Sequence, residues 1–335
     1  MITDAIKQVI ECQSLSFEEA QAAMTEIMEG QATDAQIASF ITALRMKGET
    51  VAEIAGFARV MRDKAVPIRT KHEVVVDTCG TGGDVSGTFN VSTTAAFVVA
   101  GAGVAVAKHG NRSVSSKCGS ADLLEALGVQ IEIEAEEVEE SINEIGIGFM
   151  FAPLMHPAMK HAMGPRKELG VRTVFNILGP LCNPADVKHQ VLGVYNPDIA
   201  PLMAEALASL GAEHVLVVHG QGLDELTVTG DSQVAELRDG KVSTYAVELD
   251  CLDIEKARLE DILGGTVEEN VAITNSVLAG VPGATRDMTL LNAAAALVAA
   301  DRSESIKEGL EIAAWSIDSG AAKDKLDALI TFTNL

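Results

Sequence analysis

Apolar residues in the first 65 positions recur at helical spacing. Ile37, Phe40, Ile41 and Leu44 stand at i, i+3, i+4 and i+7, and Ile54, Phe57, Ala58 and Met61 repeat the pattern, so each run has one face to bury. Capping pairs Ser16/Glu19, Thr33/Gln36 and Thr50/Glu53 mark three helix starts: a hydroxyl caps the helix and an acid or amide three residues on reaches back. This spacing predicts a small helical unit. After Pro67 the period changes. Residues 73–76 read as a short strand, followed by a glycine loop, a helix through 95–100 and a strand at 104–107, together a βαβ unit.

The alternation continues, with strands predicted at 148–152, 190–195 and 214–218 and helices at 121–127, 135–145 and 200–210. Such alternation favours a parallel sheet with helices on its faces. Within 234–247, Asp239-Gly240 sits between two strand-like runs and predicts an added hairpin, and helix returns from Glu268 onward. The expected fold class is therefore α/β: a small N-terminal helical domain (1–70), with 172–183 a candidate to join it, and a larger domain (71–335) whose mainly parallel sheet is flanked by helices.

Charge narrows the function. The 335 residues hold 25 Lys+Arg against 48 Asp+Glu, a formal net charge of −23, which argues against holding nucleic acid or an anionic membrane by bulk attraction. With aromatic residues at 4%, a base-stacking surface is also disfavoured. Any polyanionic ligand needs local cations. The five cysteines are widely spaced without a CxxC pair, so neither a disulfide framework nor a zinc site is indicated and a reducing compartment is expected. Residues 1–11 lack a basic stretch leading into an apolar run, and the most apolar stretch, 95–107, is shorter than the roughly 20 residues of a spanning helix. A cytoplasmic chain is expected.

The densest chemical signal is 74–84, VVVDTCGTGGD, a strand running into three glycines within four positions. Glycines let successive N–H groups converge on an anion, and Asn90-Val91-Ser92-Thr93 then precedes an apolar helix whose N-terminus favours phosphate. A tight turn followed by an ordinary cap would use the same residues. The next strand ends in KHGNRSVSSK (108–117), gathering Lys108, Arg112 and Lys117 with three serines beside the first loop, at the sheet edge where open α/β folds bind ligands. Two such loops after neighbouring strands favour a phosphate site over a solvated basic loop. A third loop, 219–225, carries Asp224 and Glu225, carboxylates suited to Mg²⁺ bridged to substrate phosphates, with a solvated acidic turn as the competing reading. His156 and Arg166 add an imidazole and a guanidinium, the latter matched in shape to a planar carboxylate, though packing or surface roles also suit them.

With these blocks in view, the sequence resembles the anthranilate phosphoribosyltransferases of tryptophan biosynthesis over essentially its whole length. The matching stretches are GTGGD (80–84), NVST (90–93), KHGNRSVSS (108–116), GSADLLEALG (119–128), HPAM (156–159), RTVFNILGPLCNP (172–184) and GLDE (222–225). The resemblance implies a helical domain joined to a larger α/β domain, with 5-phosphoribosyl 1-pyrophosphate bound between them with Mg²⁺, and a homodimer. It places the phosphoribosyl substrate on Gly80, Gly83, Asp84, Thr88, Asn90, Val91, Ser92, Thr93 and Ser120 and on the run Lys108, His109, Gly110, Asn111, Arg112, Ser113, Val114, Ser115 and Ser116. It implies catalytic roles for Lys108, Asn90 and Asp84, anthranilate contacts at Gly80, Asn111 and Arg166, and metal contacts at Ser92, Asp224 and Glu225. Two features depart from the family pattern: Cys118 stands where serine is common, and the loop at Gly220-Gln221-Gly222 looks one residue short. A Cys118/His109 nucleophilic pair is the competing reading, and a small buried cysteine is the expectation. The GTGGD and KHGNR blocks argue against a pyrimidine nucleoside phosphorylase on the same scaffold, and the charge argues against a nucleic-acid-binding relative.

Overall fold

The computed structural model describes residues 1–82, 87–113 and 117–335. Four helices open it: α1 (Ile2–Ile10), α2 (Phe17–Met28), α3 (Asp34–Lys47) and α4 (Val51–Asp63). All three predicted capping boxes form. The last does more than cap. Glu53 is fully buried and accepts from Thr50 N (2.8 Å), Leu15 N (2.9 Å) and Lys47 Nζ (2.9 Å), tying the start of α4 to the α1–α2 loop and the end of α3. The predicted apolar faces meet in the bundle core, where Phe40 and Phe57 pack edge to face at 5.8 Å.

The chain then runs β1 (Val75–Gly80), α5 (Val91–Gly101), β2 (Ala105–Gly110), α6 (Ser120–Ala126), α7 (Ala135–Ile145), β3 (Ile147–Phe151), α8 (Ala152–Met155), α9 (Lys160–Leu169), α10 (Phe175–Leu178), β4 (His189–Gly193), α11 (Ala200–Ser209) and β5 (His214–Gly220). A hairpin, β6 (Ser232–Arg238) and β7 (Lys241–Val247), follows, and then α12 (Val267–Leu278), α13 (Ala284–Ala299), α14 (Ile306–Asp318) and α15 (Ala321–Thr333). The sheet order is β3-β2-β1-β4-β5-β6-β7, with β1 to β5 parallel and the hairpin antiparallel. Asp239 (φ 52°) and Gly240 (φ 71°) make the predicted tight turn.

The first strand departs from its predicted bounds. It begins at Val75 rather than 73 and continues to Gly80, because its ladder with β4 pairs Val76 through Gly80 with His189 through Gly193. The first glycine of the loop is thus still strand. Likewise α5 starts at Val91 rather than 95, so Ser92 and Thr93 lie in its first turn.

Strand order reverses around β1, placing the crevice between the C-terminal ends of β1 and β4 at a topological switch point. One large core includes Phe97 of α5, Leu291 of α13 and Leu326 of α15, with Val106 and Leu216 of the sheet. A second runs from Val215 and Val217 through Met203 and Leu207 of α11 into the helical bundle, and includes Val174, Phe175, Leu178 and Leu181. Arg62 Nε of α4 donates to Leu181 O at 2.7 Å, adding a polar tie from the bundle to this stretch. Among the described residues no helix is long and apolar enough to cross a membrane.

Candidate active site

The crevice is shaped by close backbone approach. A Cβ at Gly193 would sit 1.5 Å from Asp224 O, so the end of β4 must be glycine for the Asp224 backbone to lie across it, and a Cβ at Gly80 would meet the Asp224 carboxylate at 2.4 Å. Gly82 N donates to Asp224 Oδ2 at 2.7 Å. The loop that delivers Asp224 closes in two residues: Gln221 (φ 53°) and Gly222 (φ 92°) are left-handed, and Gly220 and Leu223 exchange backbone hydrogen bonds of 3.0 and 2.9 Å. The short loop therefore still brings Asp224 onto the glycine loop. On the far side, Asn292 of α13 accepts from Leu226 N (3.0 Å) and donates to Leu226 O (2.8 Å).

Lys108 lies beneath this crevice, 3% exposed, its Nζ donating to Thr78 O at 2.6 Å and to Ser92 Oγ at 3.4 Å. Burial pulls its pKa down, and the negative charges of Asp77 and, more weakly, Glu225 oppose the shift. Asn90, the N-cap of α5, donates from Nδ2 to Cys118 O at 3.1 Å, while its Oδ1 is buried without a partner among the described residues. Thr88 pairs with Leu263 in an isolated bridge. Val91 is fully buried, which leaves only its backbone for a ligand. The Thr93 hydroxyl is likewise buried without a described partner, and Thr93, Lys108 and Phe149 line a cavity of about 10 Å³.

The basic loop corrects the sequence expectation. Arg112 is not a free cation beside Lys108, since its guanidinium meets Glu125 at 2.8 Å and Asp122 at 3.2 Å and lies 5.6 Å over the Phe151 ring. Its charge is answered from α6, Lys108 is buried, and Lys117 is exposed, so the three do not form one positive cluster. Ser120 Oγ is engaged with the Asn111 backbone, accepting from N and donating to O at 3.2 Å each, and Ser113 N donates to Asp122 Oδ2 at 3.0 Å. Cys118 donates to Gly119 O at 3.6 Å and burial pushes its thiol up to about 11, the opposite of an activated nucleophile. Gly83, Asp84, Val114, Ser115 and Ser116 lie outside the described residues.

Strand alternation turns His109 to the face of β2 opposite Lys108. Its ring packs 5.0 Å from His156, between β2 and the 179–183 stretch. Burial, reinforced for His109 by the neighbouring imidazole, lowers the two pKa values to about 3 and about 4. Both rings are neutral at pH 7. Nearby in sequence, Arg166 of α9 stacks 5.0 Å over the Phe175 ring, half-buried and with no carboxylate partner among the described residues, and burial lowers its pKa. Sequence reasoning missed the buried network that joins the strands here. Asp77 Oδ1 accepts from His109 N at 3.3 Å, and Asn183 Nδ2 donates to Asp77 Oδ2 (2.8 Å) and Ala107 O (2.9 Å). Only the strand position of Asp77, inside an otherwise apolar run, could have hinted at it.

Residues 3–65 match the family described as "Glycosyl transferase family, helical bundle domain", and residues 72–323 match "Glycosyl transferase family, a/b domain". An anthranilate phosphoribosyltransferase of Pelotomaculum thermopropionicum is 57% identical over 334 residues, which span 99% of this chain and 97% of that relative. The chain belongs to the anthranilate phosphoribosyltransferase family. A second family member, from Symbiobacterium thermophilum, is 55% identical over 98% of this chain and 97% of its own. The crystal structure of the Thermus thermophilus anthranilate phosphoribosyltransferase superposes with a TM-score of 0.95 at 45% identity, covering 99% of this chain and all of that one (100%). The Saccharomyces cerevisiae enzyme in complex with PRPP and Mg superposes with a TM-score of 0.91 at 29% identity over 99% and 98% of the two chains. Asp224, whose Oδ2 accepts from Gly82 N, the adjacent Glu225 and the Ser92 hydroxyl beside Lys108 offer hard oxygen donors of the type that suits Mg²⁺.

Proposed function

We propose that this chain transfers the phosphoribosyl group of 5-phosphoribosyl 1-pyrophosphate to the amino nitrogen of anthranilate in tryptophan biosynthesis, releasing pyrophosphate. The observation that carries the reading is the placement of a buried cation beneath the glycine loop and of a second cation apart from it. Lys108 and Ser92 lie beneath the glycine loop, while Arg166 on α9 carries a guanidinium with no carboxylate partner among the described residues. An anionic donor suits the first and an aryl carboxylate the second.

In this reaction the bond from ribose C1 to the pyrophosphate oxygen breaks, a bond from C1 to nitrogen forms, and the amine loses a proton. An arylamine is neutral at pH 7 and attacks without prior deprotonation, so the larger demand is charge stabilisation on the leaving pyrophosphate. Lys108 and the Gly80–Gly82 backbone would meet it, and the buried Asn90 Oδ1 would accept from the ribose. Asp224, Glu225 and Ser92 would hold Mg²⁺, which supplies further positive charge to the pyrophosphate. Arg166 and Asn111 would orient anthranilate, Arg166 through its carboxylate. The remaining phosphoribosyl contacts are proposed from the resemblance, with Val91 and His109 serving through their backbones and Asp84 lying outside the described residues.

We also propose a cytoplasmic homodimer joined through the helical domain, whose α1 and α3 expose Ile10 (60%) and Met46 (84%), and a division at residue 70 with 172–183 returning to the bundle. Light scattering at micromolar concentration tests the dimer, and a mass near 35.1 kDa contradicts it. The function is tested by following anthranilate fluorescence with the purified chain, 5-phosphoribosyl 1-pyrophosphate and Mg²⁺. Fluorescence should fall, and unchanged fluorescence would overturn the proposal.

A further inference from the structure

The donor-side loop is held from behind by a part of the chain that no sequence motif singled out. Residues 87–90 lie against 262–264: Gly264 N donates to Gly87 O at 2.8 Å, Phe89 N to Ile262 O at 3.3 Å, and Thr88 bridges to Leu263. From this strap the chain enters α12, which reaches Asn90 twice. Asn270, 2% exposed, accepts from Asn90 N at 3.1 Å and anchors its own amide by donating to Thr266 O (2.9 Å) and Gly265 O (3.3 Å). One turn later, the fully buried Thr274 hydroxyl lies 3.0 Å from Thr94 Oγ1, and Thr94 Oγ1 donates to Asn90 O at 2.9 Å.

The Asn90 N–H is thereby fixed directly from α12, while its carbonyl accepts from Thr94 N at 3.0 Å within α5 and from the Thr94 hydroxyl that Thr274 of α12 reaches. The side chain is steadied by Nδ2 on Cys118 O, and Oδ1 is left buried and unpartnered among the described residues. A residue held at three of its polar groups presents the fourth in a set direction. Leaving a buried carbonyl oxygen unsatisfied costs free energy that a substrate hydroxyl would recover. We propose that Asn270 and Thr274 are positioning residues that aim Asn90 Oδ1 at the donor substrate. The proposal rests on the reading of Asn90 as a donor-substrate contact.

The test is a double-mutant cycle in steady-state kinetics on the full chain. Asn270→Ala should lower kcat/KM for 5-phosphoribosyl 1-pyrophosphate about tenfold, the worth of one hydrogen bond, while KM for anthranilate stays within about twofold. Added to Asn90→Ala, the same change should cost less than about twofold, because no side chain remains to aim. An equal tenfold loss in both backgrounds, or no loss in either, overturns the proposal. Should Asn270→Ala fail to fold, Thr274→Val carries the test: it should lower the same ratio and Thr274→Ser should restore it, and equal activity of the two overturns the proposal. Wild-type efficiency in Asn90→Ala would instead overturn the reading of Asn90, and the inference with it.

Discussion

Replacing Arg166 by alanine separates the two halves of the site. The guanidinium is half-buried against the Phe175 ring and has no carboxylate partner among the described residues, so a bound anthranilate carboxylate would be its counter-ion. A hydrogen bond to a charged group is worth roughly 1.5 to 3 kcal/mol, which converts to about 10- to 150-fold in affinity. Arg166→Ala should raise KM for anthranilate by that factor and leave KM for 5-phosphoribosyl 1-pyrophosphate nearly unchanged. Stability should move little. The lost cation–π contact, about 0.5 to 1 kcal/mol, is offset by removing a charge that burial disfavours. Thermal unfolding beside steady-state kinetics therefore distinguishes a binding defect from damage. Arg166→Lys should recover only part of the affinity, since an ammonium cannot make the planar two-point contact. If KM for the phosphoribosyl substrate rises and that for anthranilate does not, Arg166 belongs to the phosphate side and the partition is wrong.

Asp224→Ala combined with Glu225→Ala should lower kcat by about 10² to 10³ at saturating substrates, and wild-type kcat at limiting Mg²⁺ would exclude these residues as its ligands. Glu53→Ala removes the acceptor of the buried Lys47 ammonium and two backbone N–H groups, and should cost about 3 to 5 kcal/mol in urea unfolding. Glu53→Gln, which can still accept, should lose less, and equal losses would contradict the capping account. His109 and His156 have folded pKa values of about 3 and about 4, below the roughly 6.5 of an unfolded histidine, so between these values the unfolded chain binds more protons and stability rises with pH. Their contribution is complete above about pH 6.5 and is lost progressively toward pH 4. His156→Asn should therefore narrow the gap between urea midpoints at pH 7 and pH 5, whereas an unchanged gap counts against the buried neutral pair.

Three of the four N-terminal helices, α2 to α4, were legible because capping is local: Ser16/Glu19, Thr33/Gln36 and Thr50/Glu53 act across three residues, whereas α1 has no side-chain cap to mark it. The hairpin at Asp239-Gly240 was legible for the same reason, since the turn dictates its backbone. Strand β1 was misplaced by two residues at its start, because its extent is set by a ladder with β4 more than 100 residues away. The loops of the site were found as motifs, but not what their side chains touch. Arg112 reads as a phosphate cation until α6 brings Asp122 and Glu125 to it. Asn270 and Asn292 carry no motif, and Asn183 lies in a matched stretch that does not reveal its partner; their contacts to Asn90, Leu226 and Asp77 span 180, 66 and 106 residues. Only the folded chain brings such pairs together.

The central claim is that a bond forms between ribose C1 and the anthranilate nitrogen. Incubating the chain with Mg²⁺, 5-phosphoribosyl 1-pyrophosphate and ¹⁵N-labelled anthranilate, with products followed by ¹⁵N and ³¹P NMR, tests it most directly. One pyrophosphate should be released for each anthranilate consumed, with the label attached to the ribose carbon. Pyrophosphate release that leaves ribose 5-phosphate and untouched anthranilate would contradict it.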